Sequence, residues 1–342
     1  MGALTFLRGR RAVAFGGACA CLLTAAGIGV SGSSASAASG TTTIRLVLAW
    51  YPTPEYGGVY AGLKEGYFKK EGINLLVTPG GPQVSATEVV GSGQADIGYL
   101  NNDETLMEAN EDGIDLTEFA TTYEEYPEAL EYHKSNPIST LAQANGKTIS
   151  GVTGSVDYQW LQAKYHLKNT VTPFSYATFA ANAKSLLLGY APDDVPTLAA
   201  QGVAIGYVPI SDSGLDPYAD ILFAKSPYVT ANEGLIKRFL TALGEGWQYY
   251  RNHYLQVNPS IFVAADKTTP LATDNAISKF EDPFIFGGAA ATAGIGSISI
   301  SRVTDTYDKL RALGVLKKNL NINDIAIATL VPKLLPPAKQ GS

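Results

Sequence analysis

The sequence predicts an α/β protein of two lobes that are joined by two crossing segments. Strand-like and helix-like stretches alternate along residues 44–112 and again along 146–208, an order typical of parallel strands connected by helices. Between the two series, residues 117–134 form one extended segment interrupted at Pro127, too long for a single strand of a compact lobe. A second extended piece, 220–224, leads back toward a long helix. We therefore expect the chain to leave one lobe, build another and return.

These segments give the expected domain boundaries. Residues 41–127 and 225–338 are predicted to form a discontinuous first lobe, and residues 128–224 the second lobe.

The first 37 residues are predicted to be an export signal. Arg8, Arg10 and Arg11 precede an apolar run over 12–30, and the stretch ends in Ala-Ser-Ala at 35–37. A membrane anchor is the alternative, although Ala and Gly dominate the run. The paired arginines also permit twin-arginine export, and lipidation is a minor alternative. We expect an exported protein, in the periplasm or on the outer face of the cytoplasmic membrane.

The cysteine content and net charge of residues 38–342 exclude several classes of function. Both cysteines, Cys19 and Cys21, precede residue 38, so the remaining 305 residues offer no disulfide, thiolate nucleophile or cysteine metal site. They carry 22 basic and 31 acidic residues, a net charge of −9 that opposes binding to nucleic acid or an anionic membrane. We expect a soluble monomer without metal or cofactor.

The elements of the first lobe follow in a simple order. Strands are expected at 44–50, 75–78 and 95–100, and helices at 56–65, 83–92 and 102–112.

The second series and the tail are predicted in the same way. Strands are expected at 146–150, 171–176 and 202–208, helices at 155–167 and 178–189, and a short element at 195–200. Thr230 and Glu233 match a capping box before a long helix with an apolar stripe. Helices at 301–313, stopped by Gly314, and at 323–335 complete the chain.

Three segments carry a family resemblance. Trp50, Pro52, Gly66-Tyr67-Phe68 and Glu71-Gly72 stand within residues 48–75, followed by SGQADIGYL at 92–100 and by the helix at 235–253. This pattern resembles the sulfonate and thiamine-pyrimidine-precursor branch of the type 2 periplasmic binding proteins of ABC importers. The resemblance implies a two-lobed type 2 fold, a ligand between the lobes, and importer permease subunits with their ATPase as partners.

The resemblance is less specific for the ligand. Ala49, Thr53 and Tyr56 stand where pyrimidine-precursor binders have Asp, Asn and His. The Gly80-Gly81-Pro82 turn is closer to flavin (riboflavin) precursor binders of the same branch.

Candidate ligand residues follow the carboxyl ends of predicted strands or lie on the crossing segments, where open α/β sheets bind their ligands. They are Trp50, Tyr51, Tyr56, Gly81, Tyr99, Asn101, Asn102, Tyr123, Tyr126, Gly154, Ser155, Asp157, Tyr158 and Tyr207.

Each of these residues has a functional and a structural explanation. Trp50 and Tyr51 would stack on a planar ligand, or one of them fills the core. One of Asn101 and Asn102 is expected to cap a helix and the other to bond a polar heterocycle. The Gly-rich loop at 151–155 would offer backbone N–H groups, or serve as a plain turn.

Signals for an enzyme are weak. The three histidines, His133, His166 and His253, lie far apart without metal-ligand spacing, and no nucleophile elbow is present. We therefore expect a non-enzymatic binder of a neutral or weakly polar aromatic heterocycle, such as a vitamin precursor. The alternatives are a binder of alkanesulfonate or taurine, a pyrimidine-synthesising enzyme on the same fold, and a sensor or adhesion module.

Overall fold

The chain folds into two five-stranded mixed sheets. The computed structural model describes residues 40–81, 83–152, 154–265 and 269–340, so the predicted export signal at 1–37 lies outside the described residues. Ten strands are described: β1 (Thr42–Val47), β2 (Ile73–Thr78), β3 (Ile97–Asn102), β4 (Leu116–Tyr123), β5 (Glu128–His133), β6 (Thr148–Gly151), β7 (Thr170–Pro173), β8 (Leu186–Tyr190), β9 (Ile205–Pro209) and β10 (Ala219–Lys225).

Fourteen α-helices accompany these strands in the described ranges. They are α1 (Gly57–Lys64), α2 (Tyr67–Lys70), α3 (Ala86–Gly91), α4 (Asp103–Glu111), α5 (Val156–Tyr165), α6 (Tyr176–Ala181), α7 (Ala191–Ala200), α8 (Ser226–Ala231), α9 (Glu233–Ala264), α10 (Leu271–Phe280), α11 (Asp282–Phe286), α12 (Ala290–Ala293), α13 (Ile300–Leu313) and α14 (Ile322–Ile325). Short 3-10 turns occupy Pro54–Tyr56, Leu141–Ala144 and Ile210–Ser213.

The two sheets repeat one topology. The first has the order β2-β1-β3-β10-β4 and the second the order β7-β6-β8-β5-β9. In each sheet the strand that follows a crossing is antiparallel to both of its neighbours: β10 in the first and β5 in the second. The remaining ladders are parallel. This confirms the predicted two-lobed α/β architecture.

Helices cover both faces of each sheet. In the first lobe, Leu46 and Leu222 pack toward α1 and α9, whereas Val47 and Phe223 join the cluster around α3, α4 and α13. In the second lobe, Leu187 packs with Phe179 and Leu198 of α6 and α7. Alternate strand residues therefore enter different cores, as the two-residue period of a strand requires.

The contact between α1 and α9 is unusually close. A Cβ atom on Gly246 would lie 2.1 Å from the Gly58 carbonyl oxygen, and one on Gly58 would lie 2.4 Å from the Trp247 ring. The aromatic stripe predicted along the long helix is thus lobe core, with Trp247 almost fully buried.

The first crossing lies where Pro127 predicted it. Residues 117–134 divide into β4 and β5, which belong to different sheets, with a break at Glu124–Pro127. The return crossing lies earlier than the boundary expected at 224/225, because β10 pairs with β3 and β4 in the first sheet. β10 lies in the middle of the sheet and is buried on both faces, so its sequence does not alternate between apolar and polar residues. Without that alternation the sequence does not distinguish the strand from a crossing segment.

Three further elements differ from the sequence prediction. Residues 178–189, predicted as one helix, contain the end of α6 followed by most of β8. The apolar run at β8 suits a helix as well as a strand, because it is too short for its periodicity to distinguish them. Thr230 is not a capping residue, because it lies inside α8, where its hydroxyl donates to the Ser226 carbonyl. The helix expected at 323–335 stops at Ile325, and the chain beyond it, interrupted by Pro332 and Pro336, is irregular.

No helix among the described ranges has the length and apolar character needed to cross a bilayer.

Candidate functional site

The ends of strands from both lobes meet at the crossing segments. Tyr123, the last residue of β4, and Tyr190, the last residue of β8, pack edge to face with ring centroids 5.6 Å apart. The Tyr190 hydroxyl also donates to Asp220 Oδ2 of β10 at 3.4 Å. The candidate cleft is therefore the space where the carboxyl ends of strands in the two sheets face each other.

Trp50 and Tyr51 form an exposed aromatic pair beside this cleft. Their side chains are 40% and 51% exposed, and their rings lie edge to face at 5.4 Å. Gly81 packs against Tyr51: its φ of +141° suits glycine, and a Cβ atom there would lie 3.0 Å from the Tyr51 ring. The structure thus leaves both rings available, as the stacking prediction requires.

A groove of about 380 Å³ begins at Trp50 and reaches the second lobe. This volume lies in the range of small-molecule sites. The residues lining the groove come from the β1–α1 connection, α6, α7 and the start of α10: Trp50, Thr53, Tyr176, Asp193, Thr197, Ala200, Gln201, Thr269, Pro270, Thr273, Asp274 and Ile277.

Tyr56 and Tyr99 do not offer exposed stacking faces. Both are fully buried and pack edge to face at 5.2 Å. The Tyr56 hydroxyl accepts a hydrogen bond of 3.0 Å from the Trp50 backbone N–H, and the Tyr99 hydroxyl accepts one from Thr122 at 3.3 Å. Tyr56 therefore supports the Trp50 loop from within the core.

Asn102 is the helix cap of the predicted asparagine pair. Its Oδ1 accepts from the Thr105 backbone N–H at 3.1 Å and from the Thr105 hydroxyl at 2.8 Å. Asn101 is exposed at the end of β3, so of the two it keeps its side chain free for a ligand.

The loop between β6 and α5 combines turn and cap functions. Gly154 is exposed with φ +82°, and Ser155 Oγ caps α5 by accepting from the Tyr158 backbone N–H at 3.3 Å. Tyr158 is buried among core residues of the second lobe, so the prediction that it contacts a ligand is not supported by its position. The ligand-binding predictions for Gly154 and Ser155 stay predictions.

Tyr126 connects the first crossing to α5. Its hydroxyl donates to Asp157 Oδ1 at 3.0 Å, and both side chains are buried. Burial raises the pKa of Asp157 to about 6, although the hydrogen bond from Tyr126 lowers it. Tyr126 and Asp157, both predicted to contact a ligand, are thus hydrogen-bonded to each other.

Tyr123 and Tyr207 lie on opposite sides of the first crossing. Tyr123, a predicted ligand contact, is fully buried, and its hydroxyl donates to Glu281 Oε2 at 2.9 Å. Tyr207 is partly exposed, packs edge to face with Phe280 at 6.2 Å, and borders a separate cavity of about 350 Å³ beside Arg302.

Four carboxyl groups that the sequence did not predict occupy the cleft. We call Glu55, Asp193, Asp220 and Glu281 the acidic cluster. Burial raises the pKa of Glu281 to about 8, and repulsion from Glu55 adds to the effect. Burial, followed by repulsion from Glu55, also raises the pKa of Asp220 and of Asp193 well above the usual range.

A second acidic set lies between Tyr126 and α4. Glu104 is almost fully buried in the first turn of α4, and burial, with repulsion from Asp157, raises its pKa well above the usual range. Glu128 at the start of β5 is affected in the same way. Buried acidic residues therefore occur in a second group besides the acidic cluster.

The histidines have local partners. His133 Nε2 lies 2.9 Å from the Phe179 carbonyl, and His253 stacks on Tyr249 at 4.1 Å while its Nδ1 contacts the Tyr249 carbonyl. His166 adopts φ +54° where α5 ends. Among the described residues, no group of three or more His, Cys, Asp or Glu side chains has a metal-binding arrangement.

Solved structures share this fold. The aliphatic sulphonate binding protein SsuA of Escherichia coli superposes with a TM-score of 0.65 at 16% identity, covering 88% of this chain and 94% of that one. The alkanesulfonate-binding protein SsuA of Xanthomonas axonopodis pv. citri, bound to MOPS, gives a TM-score of 0.60 at 16% identity, covering 84% and 99%. These likenesses show the periplasmic binding protein fold.

Sequence comparison supplies the family. The 4-amino-5-hydroxymethyl-2-methylpyrimidine phosphate synthase THI5 of Saccharomyces cerevisiae is 29% identical over 131 residues, which span 37% of this chain and 38% of that protein. The match thus covers little more than a third of the relative's length. The family model described as NMT1/THI5 like matches residues 53–254, more than half of the chain. The chain therefore belongs to the NMT1/THI5-like family.

Proposed function

We propose that the chain is an extracytoplasmic solute-binding protein of an ABC importer, which captures a small aromatic heterocycle between its lobes. The observation that carries the proposal is the groove that begins at the exposed Trp50 and ends on α7 of the second lobe. A ligand there would contact both lobes and stabilise their closed arrangement, which the permease subunits would recognise.

Trp50 and Tyr51 support an aromatic ligand. Stacking of a planar ring on such side chains is worth about 1–3 kcal/mol per ring. The Tyr56 hydroxyl fixes the backbone of Trp50, and Gly81 packs against the Tyr51 ring. Little conformational entropy of the protein would therefore be lost when a ligand binds to this surface.

The names of the relatives favour a second candidate, a pyrimidine-forming enzyme. The resemblance implies that such enzymes depend on a histidine and a cysteine-rich motif, and the chain has no cysteine after Cys21. His133 and His253 are each engaged with a backbone carbonyl away from the groove. Binding without chemistry therefore accounts better for the residues present.

A thermal-shift screen of residues 40–342 tests the proposal. The panel contains pyrimidines, flavin precursors, purines, sulfonates and amino acids, because a ligand that binds only the folded protein raises the Tm by mass action. A saturable rise with an aromatic heterocycle, recovered unchanged after incubation, supports binding without turnover. A chemically altered ligand would favour the enzyme, and a panel without any shift would contradict the solute-binding proposal.

A further inference from the structure

The acidic cluster draws its four members from distant parts of the chain. Glu55 lies in the turn after β1, Asp193 in the first turn of α7, Asp220 in β10, and Glu281 between α10 and α11. Glu55, Asp193 and Glu281 each raise the pKa of at least one other member, and the Asp220 side chain shares a hydrogen bond with Glu55 that lowers the pKa of Glu55. Asp193 is the member of the cluster that lines the groove, whereas Glu55, Asp220 and Glu281 are buried.

Two members of the cluster are incompletely hydrogen-bonded. Asp220 is fully buried, and while its Oδ2 accepts from the Tyr190 hydroxyl of the second lobe, its Oδ1 has no partner in the described part of the chain. Glu281 accepts from the Tyr123 hydroxyl at one oxygen, and its Oε1 is likewise unpartnered. A buried carboxyl oxygen without a partner is costly, so both atoms require a donor.

The chain supplies cations to neighbouring carboxylates but not to these. Arg251 contacts Asp282, next to Glu281, at 2.9 Å, and Arg302 contacts Asp216 at 3.1 Å and Glu124 at 3.5 Å. Within the described ranges, no Lys or Arg forms a salt bridge with a member of the acidic cluster. The positive charge that would balance the cluster is therefore expected from outside the chain.

Aromatic rings surround the same space. Trp50 lines the groove, and the hydroxyl groups of Tyr123 and Tyr190 donate to Glu281 and Asp220, respectively. The face of an aromatic ring attracts a cation, most strongly when both are removed from water. Carboxyl groups that can ionise against a bound cation, combined with aromatic rings, suit an organic cation better than an anion.

We infer that the ligand carried between the lobes is an organic cation: an aromatic ring bearing a protonated amine or ring nitrogen, which donates to Asp220 and Glu281 while the ring stacks at Trp50. The inference rests on the proposed solute-binding function and narrows its ligand class. It disfavours the sulfonates that the two solved relatives are named for, because a sulfonate would place a negative charge against the acidic cluster.

Three probes of similar size and different charge test the inference by calorimetry at pH 7.5: benzylamine, benzyl alcohol and benzenesulfonate. Benzylammonium is expected to bind at least tenfold more tightly than benzyl alcohol, and benzenesulfonate most weakly. The preference should disappear in Asp220→Asn, since asparagine keeps the size and tolerates the φ of +51°. It should persist in Asp308→Asn, an exposed aspartate of α13.

A second readout needs no ligand. Asp220→Asn replaces a buried carboxyl group, whose ionisation is opposed by burial and by Glu55, with a neutral amide, so the Tm of the unliganded protein should rise by about 2–4 °C at pH 8, whereas Asp308→Asn should not change it. Equal affinity for all three probes overturns the inference. Absence of benzylammonium binding together with an unchanged Tm in Asp220→Asn also overturns it. Neither result contradicts the solute-binding proposal, which the broader screen decides.

Discussion

The Tyr126 hydroxyl on the first crossing donates a hydrogen bond of 3.0 Å to Asp157 in the first turn of α5. The crossing is the segment through which the two lobes are connected, and α5 begins at the Gly154 loop. This bond therefore couples the position of the second-lobe loop to the hinge.

Removal of this bond should destabilise the protein. Tyr126→Phe leaves Asp157 buried without its partner, and we expect the free energy of unfolding to fall by about 1–3 kcal/mol. Urea unfolding followed by circular dichroism measures the change. Tyr254→Phe, whose ring packs on Tyr250, is the matched control and should leave the unfolding midpoint unchanged. Equal midpoints for wild type and Tyr126→Phe would contradict a structural role for the bond.

The stability of the unliganded protein should decrease as pH rises from 5 to 8. Burial raises the pKa of Asp274 to about 6, of Glu124 to about 7 and of Glu281 to about 8. A carboxyl with a raised folded-state pKa stabilises the fold below its unfolded pKa, near 4, and that contribution is lost as pH rises through the folded pKa. The Tm measured in this window should fall steadily; a Tm that rises over the same range would oppose this account.

Ligand binding should show the opposite pH dependence. Because a cation stabilises the ionised form of Glu281 and Asp220, its binding releases protons near neutral pH. Calorimetry of benzylamine in phosphate and in Tris should give different apparent enthalpies, and the affinity should increase between pH 6 and 8. Identical enthalpies in the two buffers would mean that no carboxyl ionises on binding.

Truncation of Trp50 should affect ligand affinity without affecting folding. Trp50→Ala is expected to weaken the best aromatic ligand by about 5–150-fold, equivalent to 1–3 kcal/mol of stacking. The unliganded Tm should change little, because the indole is partly exposed. Leu255→Ala, an exposed apolar residue of α9, serves as the control. Unchanged affinity in Trp50→Ala would remove the stacking role.

The close approach of α1 and α9 should not tolerate a methyl group. Gly246→Ala would place a Cβ atom 2.1 Å from the Gly58 carbonyl oxygen, so we expect a loss of about 1–3 kcal/mol in unfolding free energy. Gly234→Ala is the matched substitution in the same helix, where nothing lies within 4 Å of the added atom. It should be neutral or slightly stabilising. Similar Tm values for both variants would contradict the described packing.

Local patterns were sufficient to predict the architecture. The alternation of strands and helices and the break at Pro127 predicted two sheets and the first crossing. Errors arose where a local pattern is ambiguous: β8 is a short apolar run that also suits a helix, and β10 is a central strand without alternation.

The candidate site was predictable only in part. Trp50 and Tyr51 lie three and four residues beyond the end of β1, so their position near the edge of the sheet was predictable from the sequence. The acidic cluster joins Glu55 to three residues that lie 138 or more positions further along the chain. An acidic residue in the first turn of a helix, such as Asp193, has an ordinary explanation in the helix dipole.

A crystal structure of residues 40–342 with the tightest cationic ligand from the screen tests the central claim most directly. We expect density for the ligand between Trp50 and the acidic cluster, with the ligand nitrogen within hydrogen-bond distance of Asp220 Oδ1 or Glu281 Oε1 and with contacts from both lobes. Density confined to one lobe, or an occupied cleft in which the positive charge points away from both carboxylates, would contradict the account.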